Sequence, residues 1–119
     1  MTSHKEDNIL TVALVNIHGQ TGLSQPKQKQ IETFLQKNDI DILHLQEINI
    51  VDDTFRNCNF INSSYNILHN NSPTKYGTAS LVRSELSPKN IRLDLEGRVI
   101  VFDIGQFTTS NFCVHSEGQ

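Results

Sequence analysis

A chain of 119 residues with 36% hydrophobic side chains has the length of one domain and the material for a modest core. With 13 acidic against 10 basic residues and a net charge of -3, it has no bulk positive field to hold a polyanion, so any grip on nucleic acid must come from local contacts. Cys58 and Cys113 stand far apart without CxxC spacing, which excludes a disulfide scaffold and fits a reducing compartment.

Residues 1-8 form a polar tail lacking the apolar core of a signal peptide, and the longest apolar run, Ile9 to Val15, is too short to span a bilayer. The chain thus reads as soluble and intracellular, nuclear or cytoplasmic, with no membrane partner. The run from Ile9 to Val15 is apolar on both alternating faces, which predicts a central strand covered on each side. Period two places Leu10, Val12, Leu14 and Asn16 on one face, so Asn16 emerges where the strand leaves the core.

Ser24 is placed to cap a helix with Pro26 in its first turn, and Ile31, Phe34 and Leu35 give an apolar stripe running to about Lys37. Asn38-Asp39 ends that helix, and Ile40 to Leu45 begins a second strand almost at once. The result is a βαβ unit with parallel strands and a right-handed crossover. Parallel strands end at one edge of a sheet, which brings Asn16 and Glu47 to a common rim.

Residues Val51 to Ser64 are polar and Asn-rich, a loop or short helix anchored by Phe55 and Phe60. Tyr65 to His69 reads as a strand, Asn70 to Pro73 as a turn, and Gly77 to Val82 as a strand whose small residues predict close packing. Ile91 to Leu95 alternates, Glu96-Gly97 offers a two-residue turn, and Arg98 to Ile104 completes a hairpin; a last strand runs from about Phe107 to Val114. A βαβ unit followed by a run of antiparallel strands gives an α/β or α+β fold.

Ligands of open α/β sheets bind beyond the carboxyl ends of strands, and Asn16 and Glu47 are the two oxygen-bearing side chains at such ends. Glu47 offers a hard anionic oxygen suited to Mg²⁺ or Mn²⁺, and Asn16 an amide that can orient it or reach a phosphate. On the residues alone, a solvent-facing strand-end Glu is the commoner reading, and a loop-starting Asn bonded to backbone stays open. The five His residues lack zinc-site spacing, and His44, inside an apolar strand, reads as a core or interlayer histidine.

Four stretches together resemble the endonuclease/exonuclease/phosphatase superfamily, which includes exonuclease III, the apurinic/apyrimidinic endonucleases and the non-LTR retrotransposon endonucleases. Val15-Asn16-Ile17-His18-Gly19 looks like its opening WNxxG strand, and Asp41-Ile42-Leu43-His44-Leu45-Gln46-Glu47 like its DIxxLQE strand. Tyr76-Gly77-Thr78-Ala79-Ser80-Leu81 is similar to GGTAIL, and Asn111-Phe112-Cys113-Val114-His115-Ser116-Glu117-Gly118 to NVYAPSG. The resemblance implies a four-layer α/β sandwich, of which residues 9-119 are the N-terminal half, able to form little more than one of its two sheets.

It also implies Glu47 and Asn16 as metal-holding and catalytic residues, with Mg²⁺ or Mn²⁺ as cofactor and a DNA phosphodiester as substrate. His18, Cys113 and His115 fall at positions near the substrate. The sequence departs from the pattern at each of these three: His18 replaces a second Asn or Asp, Cys113 an active-site Tyr, and His115 a Pro, as in some retrotransposon-type sequences. Arg98, after a Gly at a strand start, reads as structural or solvated ahead of a phosphate contact. The GDFN strand and terminal His motif that supply the general base have no counterpart, so the expected function is an inactive fragment of a DNA endonuclease of retrotransposon type. A lipid or inositol phosphatase and a non-catalytic interaction module remain alternatives, and self-association through open sheet edges is an expected liability.

Overall fold

The computed structural model describes residues 9-17, 25-48, 64-70 and 77-113. The polar tail, Ser24, His18, His115, the segment 51-63 and most of the expected turn after Asn70 lie outside the described residues.

Strand β1 (Val12–Asn16) leads to helix α1 (Gln25–Lys37) and strand β2 (Ile42–Ile48), followed by β3 (Tyr65–Asn70), β4 (Gly77–Arg83), a 3-10 turn (Ser84–Leu86), β5 (Lys89–Leu93), β6 (Val99–Ile104) and β7 (Phe107–Phe112). Four strands make one mixed sheet in the order β1-β2-β4-β3, with β1 and β2 parallel; β5, β6 and β7 make a second, antiparallel sheet. No helix among the described residues is long and apolar enough to cross a membrane.

The βαβ unit forms as the alternation and helical stripe require. Helix α1 buries Ile31 and Leu35 against Leu43, Leu45, Ala79 and Leu81, the helix-facing side of the first sheet. It stops because Asp39 turns left-handed at φ +50°, allowing Ile40 N to donate to Leu35 O at 3.0 Å and Asp39 N to Gln36 O at 3.3 Å. The other face of the sheet packs Ile42 and Val82 on Ile100, Phe102 and Ile104 of β6. The described chain is therefore three layers, a helix and two sheets, where little more than one sheet was expected.

Strand β1, expected to be central, is an edge strand among the described residues: of those, β2 alone pairs with it, and the second sheet leaves its outer residues Val12 and Leu14 46% and 54% exposed. Strand β5 alternates in sequence but not in burial, since every residue is exposed and a register shift falls between Lys89 and Arg92. Its connection to β6 is also longer than two residues. Asp94 Oδ1 accepts from Arg98 N at 2.9 Å and Val99 N at 3.1 Å, closing a five-residue loop. Burial opposes the Asp94 charge, but these backbone bonds and the Asn70 amide outweigh it and hold the carboxyl below its usual range.

At the end of the sheet away from Glu47, Arg83 locks three segments. Its Nε donates to Asp41 Oδ1 at 3.0 Å and its Nη2 to Asp39 Oδ1 and Ile40 O, both at 2.9 Å, with the guanidinium over the Tyr65 ring. Asp41 is buried and also accepts from Thr11 N at 2.8 Å, so each charge in this group is met.

Candidate functional site

The rim forms where β1 and β2 end. In register, Asn16 pairs with Gln46, and Ile17 N donates to Gln46 O at 2.9 Å, so the side chains of Asn16 and Gln46 share the face turned toward the second sheet. The next residue would point away in a regular strand. It does not, because pairing with β4 jumps from Leu45↔Ala79 to Ile48↔Gly77, three steps on β2 against two on β4. The extra residue is a β-bulge, and Glu47 sits in it at φ +55°.

The bulge lets two consecutive side chains make contacts at this rim. Gln46 Nε2 donates to Phe112 O at 2.6 Å, and Asn16 Nδ2 donates to Glu47 Oε2 at 3.0 Å. The amide and the carboxylate are 31 positions apart in sequence and meet at one strand-end rim.

Cys113 follows directly on β7 and is 7% exposed, with its N-H donating to Arg98 O at 2.9 Å. Burial pushes its thiol above the ordinary range and the nearby Glu47 carboxylate pushes it further, while the Arg98 guanidinium works the other way. The group therefore stays a neutral thiol at pH 7 and is no thiolate nucleophile. The same electrostatics bring Arg98 to the rim, a residue that sequence reasoning set aside. Its Nη1 lies 3.4 Å from Glu96 in an exposed pair of little worth, and its Nε is buried without a partner among the described residues. The signal was available in the hairpin: Arg98 opens β6, and β6 pairs with the strand that ends at Cys113.

The rim thus joins Asn16, Glu47, Cys113 and Arg98, while His18 and His115 lie outside the described residues. His44 is elsewhere, between the sheets, with Nδ1 2.8 Å from Ser80 Oγ and Nε2 2.9 Å from Thr109 Oγ1. A cleft of about 320 Å³ opens on the helix side between α1 and the end of β1, lined by Val15, Ile31, Phe34 and Leu45. Asn16, Lys27 and Gln30 also line it, so its walls are mostly but not wholly apolar and it reaches the rim at Asn16; Phe34, expected in the buried stripe, faces it and is partly exposed.

No group of three or more His, Cys, Asp or Glu side chains converges among the described residues, so no closed all-protein metal cage is formed there. A carboxylate with one neutral amide fits a hard cation that keeps most of its water and takes further oxygens from a phosphate, as Mg²⁺ and Mn²⁺ do; it does not fit zinc.

No family model matches the chain, and no curated protein does. Among solved structures, an AP endonuclease from Archaeoglobus fulgidus matches it with a TM-score of 0.70 at 21% identity, over 89% of this chain and 41% of that one. The two chains share a fold. This chain spans about two-fifths of the length of that AP endonuclease.

Proposed function

We propose that residues 9-119 are the N-terminal half of a divalent-metal-dependent phosphodiesterase domain acting on DNA, and that they supply the metal-holding side of its site. The observation that carries the reading is the hydrogen bond from Asn16 to Glu47 at a shared strand-end rim, held through a bulge. The likeness in fold to an AP endonuclease supports it, as does the order of the four motif stretches. A four-layer sandwich in the complete domain and the retrotransposon type belong to the same proposal, the latter resting on His115-Ser116.

Held by Glu47 and Asn16, Mg²⁺ or Mn²⁺ would supply charge to offset that developing on a scissile phosphate. The chain's own residues prepare for this. Glu47 provides the anionic oxygen, Asn16 fixes its direction by donating to Oε2, and Arg98 adds a positive charge at the same rim, where a phosphodiester anion would lie. Cys113 fills the place of the family's phenol with a neutral thiol of shorter reach, so it contributes little to phosphate binding. Without the motifs that bring a general base, these 119 residues hold substrate and do not turn it over.

The test is binding and incision of a duplex carrying one abasic site, with and without Mg²⁺. The reading expects binding that Mg²⁺ strengthens in the wild type but not in Glu47→Gln, and no incision by either. Binding indifferent to Mg²⁺ and to Glu47 would replace it with a non-catalytic interaction module, the reading favoured by Cys113. Robust incision would overturn the half-site.

A further inference from the structure

The bulge that aims Glu47 interrupts the β2-β4 ladder directly after the Leu45-Ala79 pair. The second sheet reaches across at this point. Asn111 of β7 is 0% exposed and reaches across the interface, where its Nδ2 donates to Leu45 O at 3.1 Å and to Ala79 O at 2.8 Å. These are the carbonyls of the last regular pair before the register jumps. A side-chain amide has two hydrogens, and both are placed toward this pair, with Ser80 Oγ a further 3.4 Å neighbour of the same nitrogen.

We infer that Asn111 is a positioning residue for Glu47, a brace that holds the bulge in the one shape that turns the carboxylate toward Asn16. The inference rests on the metal-holding reading of the rim and deepens it. Strand β7 holds the bulge at two points: Asn111 contacts the residue pair before it, and the neighbouring Phe112 carbonyl accepts from Gln46 within it. The second sheet thereby sets the geometry of a site whose two oxygen-bearing side chains both come from the first. The amide hydrogens matter here, because an Asp of the same shape would set an oxygen against two carbonyl oxygens, and a Leu would remove the cross-sheet donor to both.

The test compares wild type, Asn111→Ala, Glu47→Gln and, as a control destabilised at the opposite end, Arg83→Met. Asn111→Ser serves in place of the Ala variant if that variant does not fold. Two readouts are taken on ¹⁵N-labelled protein whose fold is checked by circular dichroism: the resonances of the Asn16 side-chain amide, and Mn²⁺ affinity. Loss of a group that orients a metal ligand commonly costs about tenfold in affinity. The brace expects the Asn111 variant to shift the Asn16 amide as Glu47→Gln does and to weaken Mn²⁺ about tenfold, while Arg83→Met does neither at a comparable loss of denaturation midpoint. An unmoved Asn16 amide in the Asn111 variant, or an equal shift in Arg83→Met, would overturn it. If wild type and Glu47→Gln bind Mn²⁺ alike, the metal reading falls, and the Asn16 resonances alone decide the brace.

Discussion

Glu47 occupies a backbone conformation that its own Cβ disfavours. At φ +55° a residue other than glycine pays about 1 kcal/mol against the following carbonyl, and nothing in the packing of a simple sheet requires an acidic residue there. Strain of this kind is retained where the side chain is needed. Removing the side chain in two ways separates strain from contact: both Glu47→Ala and Glu47→Gly lose the Asn16 hydrogen bond, but only Gly relieves the backbone. Glu47→Gly is therefore expected to be more stable than Glu47→Ala by about 1 kcal/mol in urea denaturation; equal or reversed midpoints would mean that the bulge carries no strain. Asn16 and Glu47 were legible as a pair because parallel strands end together. The bulge was not, since Leu45-Gln46-Glu47-Ile48 contains no glycine to mark a left-handed position. The exposed route to Arg98 was masked by the same local view, which weighs a charged residue at a strand start as solvated.

Across elements, the two sheets are joined by polar side chains as well as by Phe102 and its neighbours. His44 of β2 bridges Ser80 of β4 and Thr109 of β7, beside the Phe102 ring, and burial alone lowers its pKa from 6.5 to about 4. The imidazole is thus neutral in the folded protein through a range where the unfolded chain takes up a proton. The His44 contribution to stability is complete above pH 6.5, is lost as the pH drops toward 4 and changes little below, a loss on the order of 3 kcal/mol for a shift of this size. Denaturant midpoints measured from pH 4 to 7 should show that dependence in the wild type and a flatter one in His44→Gln, which keeps a donor and an acceptor without titrating there. Parallel curves would show that His44 is not the group responsible. The sequence placed His44 in the core but could not say which strands it joins, because cross-sheet contacts have no period. For the same reason β1 looked central: two apolar faces report hydrophobicity and not how many neighbours a strand has.

For the molecule as a whole, the helix and two sheets follow from the order of elements, and the shared fold with an AP endonuclease extends over 89% of the chain. The second sheet was under-read because β5 contributes no buried residue and its loop is closed by an Asp94 side chain, a contact that turn rules keyed to Glu96-Gly97 do not register. Strands β1 and β7 end at the rim that holds Glu47, and among the described residues each is an outer strand of its sheet with exposed apolar side chains, Leu14 and Phe112 among them. On the proposed function, Asn16 and Glu47 form one hard-cation site at that rim. The direct measurement is paramagnetic broadening of the ¹⁵N-labelled chain by Mn²⁺. Broadening centred on the resonances of Asn16, Glu47 and Cys113 and fading with distance from them, at concentrations that leave Glu47→Gln unaffected, is the predicted result; broadening centred elsewhere, or equal in the two proteins, would contradict it.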